Sequence, residues 1–157
     1  MYARITGNEP VVVANIPLAR TKYFRELQRT FGFKPVINHS PELGRFYSVQ
    51  LGLNVLPEGS FAFINDVDRP MVNIATLIKL LNRKFHSGYL VPEFDRKNGH
   101  PLLLGKKVIR SILKRKPEKT KMNEFLRRFE RRSVKVNDKG VLININTPED
   151  YKKWAGV

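Results

Sequence analysis

The sequence predicts an α/β fold with a mainly parallel sheet, on three observations. Short β-branched runs alternate three times in series with segments whose apolar residues recur at helical spacing. The runs are continuously apolar, as in strands covered on both faces, rather than alternating in the manner of a half-exposed strand. Acidic residues follow the third run at once, at the carboxyl end where open α/β sheets bind their ligands.

Val11-Val12-Val13-Ala14-Asn15 is the first strand. Thr21 caps a helix whose apolar residues Phe24, Leu27 and Phe31 share a face until Gly32 stops it. Lys34 to Asn38 is the second strand, and a loop through Pro41 and Gly44 leads into a helical stretch up to Leu53. Ser60 to Ile64 is the third strand. It runs into the loop Asn65-Asp66-Val67-Asp68-Arg69-Pro70, after which Asn73 caps a helix with Ile74, Leu77, Ile78, Leu81 and Phe85 on one side. Beyond this, Tyr89 to Pro92 and Gly99 to Leu104 are expected as strands, and Val108 to Leu113 and Met122 to Phe129 as basic helices. Ser133 to Val136 and Val141 to Asn146 are expected as strands around the turn Asp138-Lys139-Gly140, and Thr147-Pro148-Glu149-Asp150 opens the last helix.

At 157 residues and 41% hydrophobic content the chain is expected to form one domain over residues 1–157. A chain of this size buries roughly two-thirds of its unfolded surface. No apolar run reaches the length of a membrane span and the N-terminus has no signal-peptide layout, so a cytoplasmic protein with no membrane partner is expected. The absence of cysteine excludes disulfides, iron–sulfur clusters, thiolate zinc sites and cysteine nucleophiles. A net charge of +15 attracts polyanions. The basic residues are interleaved with apolar ones at helical spacing, a pattern of solvated helix faces, so any nucleic-acid binding is expected to be non-specific and salt-sensitive.

Asp66-Val67-Asp68 is the sharpest local feature. Two carboxylates there suit Mg²⁺ or Mn²⁺ and through it the phosphates of a nucleotide; the plain alternative is a solvated turn. The amide oxygen of Asn144 or Asn146 could complete such a shell, although Thr147 to Asp150 are explained by helix capping alone. His100, in Gly99-His100-Pro101, suits either a phosphate contact or a structural turn. His39, His86 and His100 have no ligand spacing, and neither a P-loop, a G-x-S-x-G elbow nor a G-x-G-x-x-G fingerprint is present.

In order along the chain, these pieces resemble the molybdenum-cofactor nucleotidyltransferases and their sugar-phosphate relatives in the nucleotide-diphospho-sugar transferase superfamily. The residues that carry the resemblance are Val11 to Asn15; Asn38 through Gly44, Ser48, Gly52 and Leu53; Asp68-Arg69-Pro70; Pro92 with Gly99-His100-Pro101; and Asn144 to Asp150. Arg69 stands where the family has Gln or Met. The resemblance implies a three-layer α/β/α sandwich with a mostly parallel, Rossmann-like sheet. It implies Mg²⁺-dependent transfer of a nucleotide from a nucleoside triphosphate to a phosphorylated acceptor such as molybdopterin, or a degenerate relative of such an enzyme that lacks the triphosphate-binding loop. Asp68 would be a metal ligand and catalytic residue with Asn144 or Asn146, Ser48 and Gly52 would lie near the nucleotide, and His100 would serve the acceptor side. The family's opening Leu-Ala-Ala-Gly-x-Ser-x-Arg-Met-Gly…Lys has no counterpart, which implies a sheet truncated at its N-terminal βα unit. Such a sheet is expected to close up its neighbouring strands or to take a strand from a second chain, as in a homodimer. Two other classes fit parts of the pattern: a non-catalytic polyanion- or protein-binding module, and a metal-dependent glycosyltransferase using Asp66 and Asp68.

Overall fold

The computed structural model describes residues 1–155. Its helices are α1 (Tyr2–Thr6), α2 (Ile16–Ala19), α3 (Lys22–Phe31), α4 (Arg45–Asn54), α5 (Ile74–Leu81), α6 (Lys106–Leu113), α7 (Met122–Leu126) and α8 (Pro148–Ala155). The strands are β1 (Val11–Asn15), β2 (Lys34–Asn38), β3 (Ala62–Ile64), β4 (Tyr89–Phe94), β5 (Lys97–Asn98), β6 (Leu102–Leu104) and β7 (Arg131–Lys135). None of the helices is long and apolar enough to cross a membrane.

The local signals are realised where they are strongest. Thr21 Oγ1 accepts from the Phe24 amide at 3.1 Å and so caps α3, and Gly32 ends the helix with φ 59°. Thr147 Oγ1 accepts from the Asp150 amide while Asp150 Oδ2 accepts from the Thr147 amide, both at 3.1 Å, a reciprocal cap for α8.

The sheet corrects the expectation of a mostly parallel arrangement. β1 and β2 form a two-stranded parallel sheet, and the other five strands form a second, mixed sheet in the order β3-β6-β4-β5, with β7 parallel to β4. Within it, β3–β6, β6–β4 and β4–β5 are all antiparallel. The reversal follows from the connection between β4 and β6. Asp95 and Arg96, both at positive φ, turn the chain back on itself into β5, and no helix intervenes to bring the next strand round in parallel. The second correction is Val141 to Asn146, expected as a strand. Lys139–Leu142 is a 3₁₀ turn, Ile143 after it is extended, and residues 143–146 join no ladder.

Neighbouring strands do not close up. Among the described residues β1 pairs with β2 alone and β3 with β6 alone. What joins the two sheets is α4. Gly52 lies so close to β1 that a Cβ on it would sit 3.1 Å from Val13 Cγ2. The opposite side of the helix puts Phe46 and Leu53 into the main core with Ala62, Leu104, Val108 and Phe125. Buried Gln50 donates from Nε2 to the carbonyls of Ile112 and Arg115, at 2.9 and 2.7 Å, and so satisfies the end of α6. Helices cover both faces of the five-stranded sheet: α4, α6 and α7 pack on one, and α5 packs on the other through Leu80, Leu90, Leu103 and Val134. α1 adds Tyr2 and Ile5 to a smaller cluster on Phe63, Leu77 and Val141.

One polar group ties this second half together. The carboxylate of Asp138, 4% exposed, accepts four hydrogen bonds: from the Asn73 amide (2.9 Å) and Thr76 Oγ1 (2.7 Å) on Oδ2, and from Asn73 Nδ2 (3.0 Å) and the Gly140 amide (2.9 Å) on Oδ1. It therefore pins the chain after β7 to the first turn of α5, where the free amides of a helix start favour a carboxylate. Asp138→Ala, which leaves four donors without a partner, is expected to lower the unfolding free energy by about 3 to 5 kcal/mol, and Asp138→Asn, with one acceptor oxygen left, by about 1 to 3. Urea unfolding of the two variants against the wild type measures both. Losses below about 0.5 kcal/mol, the range of ordinary surface changes, would mean that the pin is dispensable.

Candidate functional site

The pairing of the strands decides where the chemistry-bearing loops go. Because β3 and β4 both run antiparallel to β6 and β7 runs parallel to β4, the carboxyl ends of β3, β4 and β7 share one pole with the amino end of β6. The loop Asn65 to Pro70 leaves β3 there, Gly99-His100-Pro101 enters β6 there, and the segment carrying Asn144 passes over it. Backbone hydrogen bonds lock the three together: Gly99 N–H to the Pro92 carbonyl (2.8 Å), His100 N–H to that of Val141 (2.9 Å) and Ile145 N–H to that of Asp68 (2.7 Å). Gly99 is required by this closeness, since a Cβ would run into the Val141 carbonyl.

The last of these bonds brings Asp68 and Asn144 to adjacent positions on touching segments. Both also carry a buried side-chain oxygen, Oδ1, that has no protein partner. The same holds for Asn65 Oδ1, Arg69 Nε and His100 Nδ1, so that five of the six such atoms among the described residues belong to this pole. An unpartnered buried polar atom costs about 1 to 3 kcal/mol. Five in one place are the mark of a site whose partners are not protein.

Not every residue singled out from the sequence joins them in the same way. Asp66 Oδ1 accepts from Arg45 Nε at 2.8 Å, an ion pair that brings the start of α4 to the β3 loop. Asn146 is exposed, and its amide donates to Asp150 in the α8 cap. Ser48 Oγ accepts from Asn38 Nδ2 at 3.0 Å, and Asn38 Oδ1 in turn accepts from the Ser40 amide, so this pair ties the end of β2 to α4. Gly52 lies one turn further along α4 and faces β1. Two participants were missing from the sequence reading. Arg45 gave no signal because its partner lies 21 residues away. Asn65 was passed over for the acids beside it; its Nδ2 donates to the Arg69 carbonyl at 3.0 Å, which holds the loop's turn and leaves Oδ1 as the unpartnered atom.

The donor set suits a hard divalent cation. Asn65, Asp68 and Asn144 offer one carboxylate and two amide oxygens, the ligand chemistry of Mg²⁺ or Mn²⁺ rather than of zinc. Among the described residues no group of three His, Cys, Asp or Glu side chains could hold a metal, so the set is necessarily a mixed one.

His100 sits in the field of this cluster. Burial lowers its pKa from the ordinary 6.5; Arg69 and, more weakly, Arg45 push it the same way, against the opposing pull of Asp66 and Asp68. At neutral pH it is therefore a neutral imidazole that can accept or donate a hydrogen bond. Since the folded chain binds this proton less readily than the unfolded one, stability on this account is complete above 6.5 and falls as the pH drops from 6.5 towards the lowered folded value. Following the His100 ring protons by NMR is expected to give a midpoint below the ordinary 6.5. Arg69→Gln should raise it, because one opposing positive charge is removed. A His100 midpoint at or above 6.5 would contradict the burial of this ring.

The chain is thus an α/β domain with two sheets bridged by a helix and with a pole lined by acid and amide side chains. The MobA-like NTP transferase domain model matches residues 3–135, and the chain belongs to that family. Among solved structures it is similar to Rv0371c from Mycobacterium tuberculosis, at 18% identity and a TM-score of 0.70 over 96% of this chain and 77% of that one. The complex of Rv0371c with manganese is similar at 18% identity and a TM-score of 0.71, over 93% of this chain and 76% of that one. Molybdopterin-guanine dinucleotide biosynthesis protein A from Archaeoglobus fulgidus matches at 20% identity and a TM-score of 0.60, over 91% and 75%. The 4-diphosphocytidyl-2C-methyl-D-erythritol synthase of Anaerococcus prevotii matches at 15% identity and a TM-score of 0.68, over 95% and 81%. At these identities the likeness speaks to the fold. No curated protein matches the chain.

Proposed function

We propose that this chain is a metal-dependent nucleotidyltransferase-like domain over residues 1–157, which binds a nucleoside triphosphate and a phosphorylated small-molecule acceptor at the pole formed by Asn65 to Arg69, His100 and Asn144. The observation that carries the reading is the set of unpartnered buried oxygens on Asp68, Asn144 and Asn65, on segments bonded to one another. Family membership supports the reaction class, and the manganese complex of a structural neighbour supports a divalent cation.

In this reading Asp68, Asn144 and Asn65 hold Mg²⁺ or Mn²⁺, which when bound neutralises phosphate charge. Arg69, with a free guanidinium nitrogen at the pole, binds phosphate oxygens directly. Arg45 holds Asp66, and the pair presents one cation and one carboxylate edge at the mouth of the site. Neutral His100 accepts a hydrogen bond from the acceptor, and its burial excludes water beside the attacking oxygen. An acceptor phosphate oxygen then forms a bond to the α-phosphorus and the bond to the β-phosphate oxygen breaks, releasing pyrophosphate. Ser48 orients the nucleotide side through its hydroxyl, and Gly52 acts by letting α4 approach β1. Asn146 keeps the α8 cap in register beside Asn144. Because Arg45 already engages Asp66, the paired-carboxylate arrangement of a metal-dependent glycosyltransferase fits less well.

Titration calorimetry with Mn²⁺ and a panel of nucleoside triphosphates tests the proposal. Metal-dependent nucleotide binding is expected in the wild type and should weaken about 100-fold in Asp68→Ala and about tenfold in Asn144→Ala, the range found when a metal site loses a ligand or its support. Far-ultraviolet circular dichroism should stay unchanged. Equal affinity in wild type and Asp68→Ala would reduce the acidic loop to a turn and sink the reading.

A further inference from the structure

The same strand directions that gather the acids and amides at one pole gather a different set at the other. There the amino ends of β3, β4 and β7 meet the carboxyl end of β6. The backbone is tightly knit: Gly105 N–H donates to the Gly88 carbonyl (2.8 Å), Lys107 N–H to that of His86 (2.9 Å) and Tyr89 N–H to that of Glu130 (3.0 Å). These bonds hold three basic segments side by side: Arg83 to His86, Lys106 to Arg110, and Arg131 with Arg132. In their midst is the half-buried ring of Phe61. Lys106 Nζ lies 5.5 Å and Lys84 Nζ 6.0 Å from its centroid, and the His86 ring packs at 5.3 Å. A second ring, Phe85, carries the Arg132 guanidinium at 4.0 Å.

Positive charges crowded in this way repel one another unless counter-charges intervene. On this pole the one bonded acid is Glu130, taken by Arg132. Lys84, Lys106, Lys107 and Arg131 form no ion pair among the described residues. The aromatic faces hold two of them in place by cation–π attraction, which orders the cations without neutralising them. Cations without acid partners around an aromatic ring have the two components of a single-strand site: ammonium groups that can leave the ring for the phosphodiester backbone, and the ring face they uncover, on which a base stacks without sequence preference.

We propose that this pole binds single-stranded nucleic acid, non-specifically and separately from the nucleotide site. The surface is distinct from the acid and amide pole, so occupation of one leaves the other open.

The test uses the full chain and a fluorescein-labelled 20-nucleotide oligo-dT, read by anisotropy from 50 to 200 mM salt. Lys84→Glu/Lys107→Glu/Arg131→Glu changes only exposed side chains. It is expected to weaken binding at least about tenfold and to lower the slope of log affinity against log salt by about 2. The control Arg25→Glu/Arg29→Glu/Lys34→Glu has the same net charge but lies on α3 and β2, and should weaken binding less than about threefold. A duplex of equal length should bind more weakly than the single strand, since its bases cannot stack on Phe61. Equal loss in both triple variants would reduce the effect to net charge and overturn the proposal. Equal or tighter binding of the duplex, or of vesicles containing phosphatidylserine, would overturn it as well.

Discussion

The second half of the molecule depends on the Asp138 carboxylate. Its two oxygens take four hydrogen bonds in a place where water hardly reaches, and each bond links the chain after β7 either to the start of α5 or to its own turn. The alternative conformations of residues 136–146 would strand those donors, at a cost that grows with each one. With the segment fixed, Val141 receives the His100 amide and Ile145 reaches the Asp68 carbonyl. The juxtaposition of Asp68, His100 and Asn144 is therefore a downstream consequence of one buried carboxylate that touches none of them.

The first half meets the second through α4. Two sheets with no shared strand pairing would slide if held by apolar contact alone. α4 prevents that with three different contacts: the close approach of Gly52 to Val13, the insertion of Phe46 and Leu53 into the main core, and the reach of Gln50 to the end of α6. At its amino end the Arg45–Asp66 pair adds a fourth, at the site itself. The helix that carries Ser48 thus also sets the distance between the nucleotide side and the metal side of the proposed site.

What could be read from the sequence follows how local its causes are. The α3 and α8 caps and the strands at Val11–Asn15 and Lys34–Asn38 rest on neighbouring residues, and they stand as expected. Strand direction does not: Leu102–Leu104 is buried on both faces, and such a strand shows the same apolar run whether its neighbours are parallel or antiparallel. Val141 to Asn146 alternates like a strand, but a bond formed 62 residues away, from Thr76 to Asp138, fixes the turn that draws it out of the ladder. In the candidate site, Asp68, His100 and Asn144 could be singled out because each stands in a short motif, and the fold brings their segments together. Arg45 could not, because only the folded chain brings it to Asp66, and Asn65 needed the burial of its oxygen to stand out.

The molecule is polarised by the direction of its strands, with unpartnered side-chain oxygens and a buried imidazole at one end and cations without ion pairs at the other. The oxygens of Asn65, Asp68 and Asn144 are proposed to share one divalent cation. Paramagnetic broadening by substoichiometric Mn²⁺ in ¹⁵N NMR spectra tests it most directly. With the cation there, the side-chain amides of Asn65 and Asn144 and the backbone amides of Asp68 and Ile145 broaden first, while those of Asn54 and Asn82 stay sharp. Broadening centred on other acidic residues, or an even loss of signal over the whole chain, would contradict it.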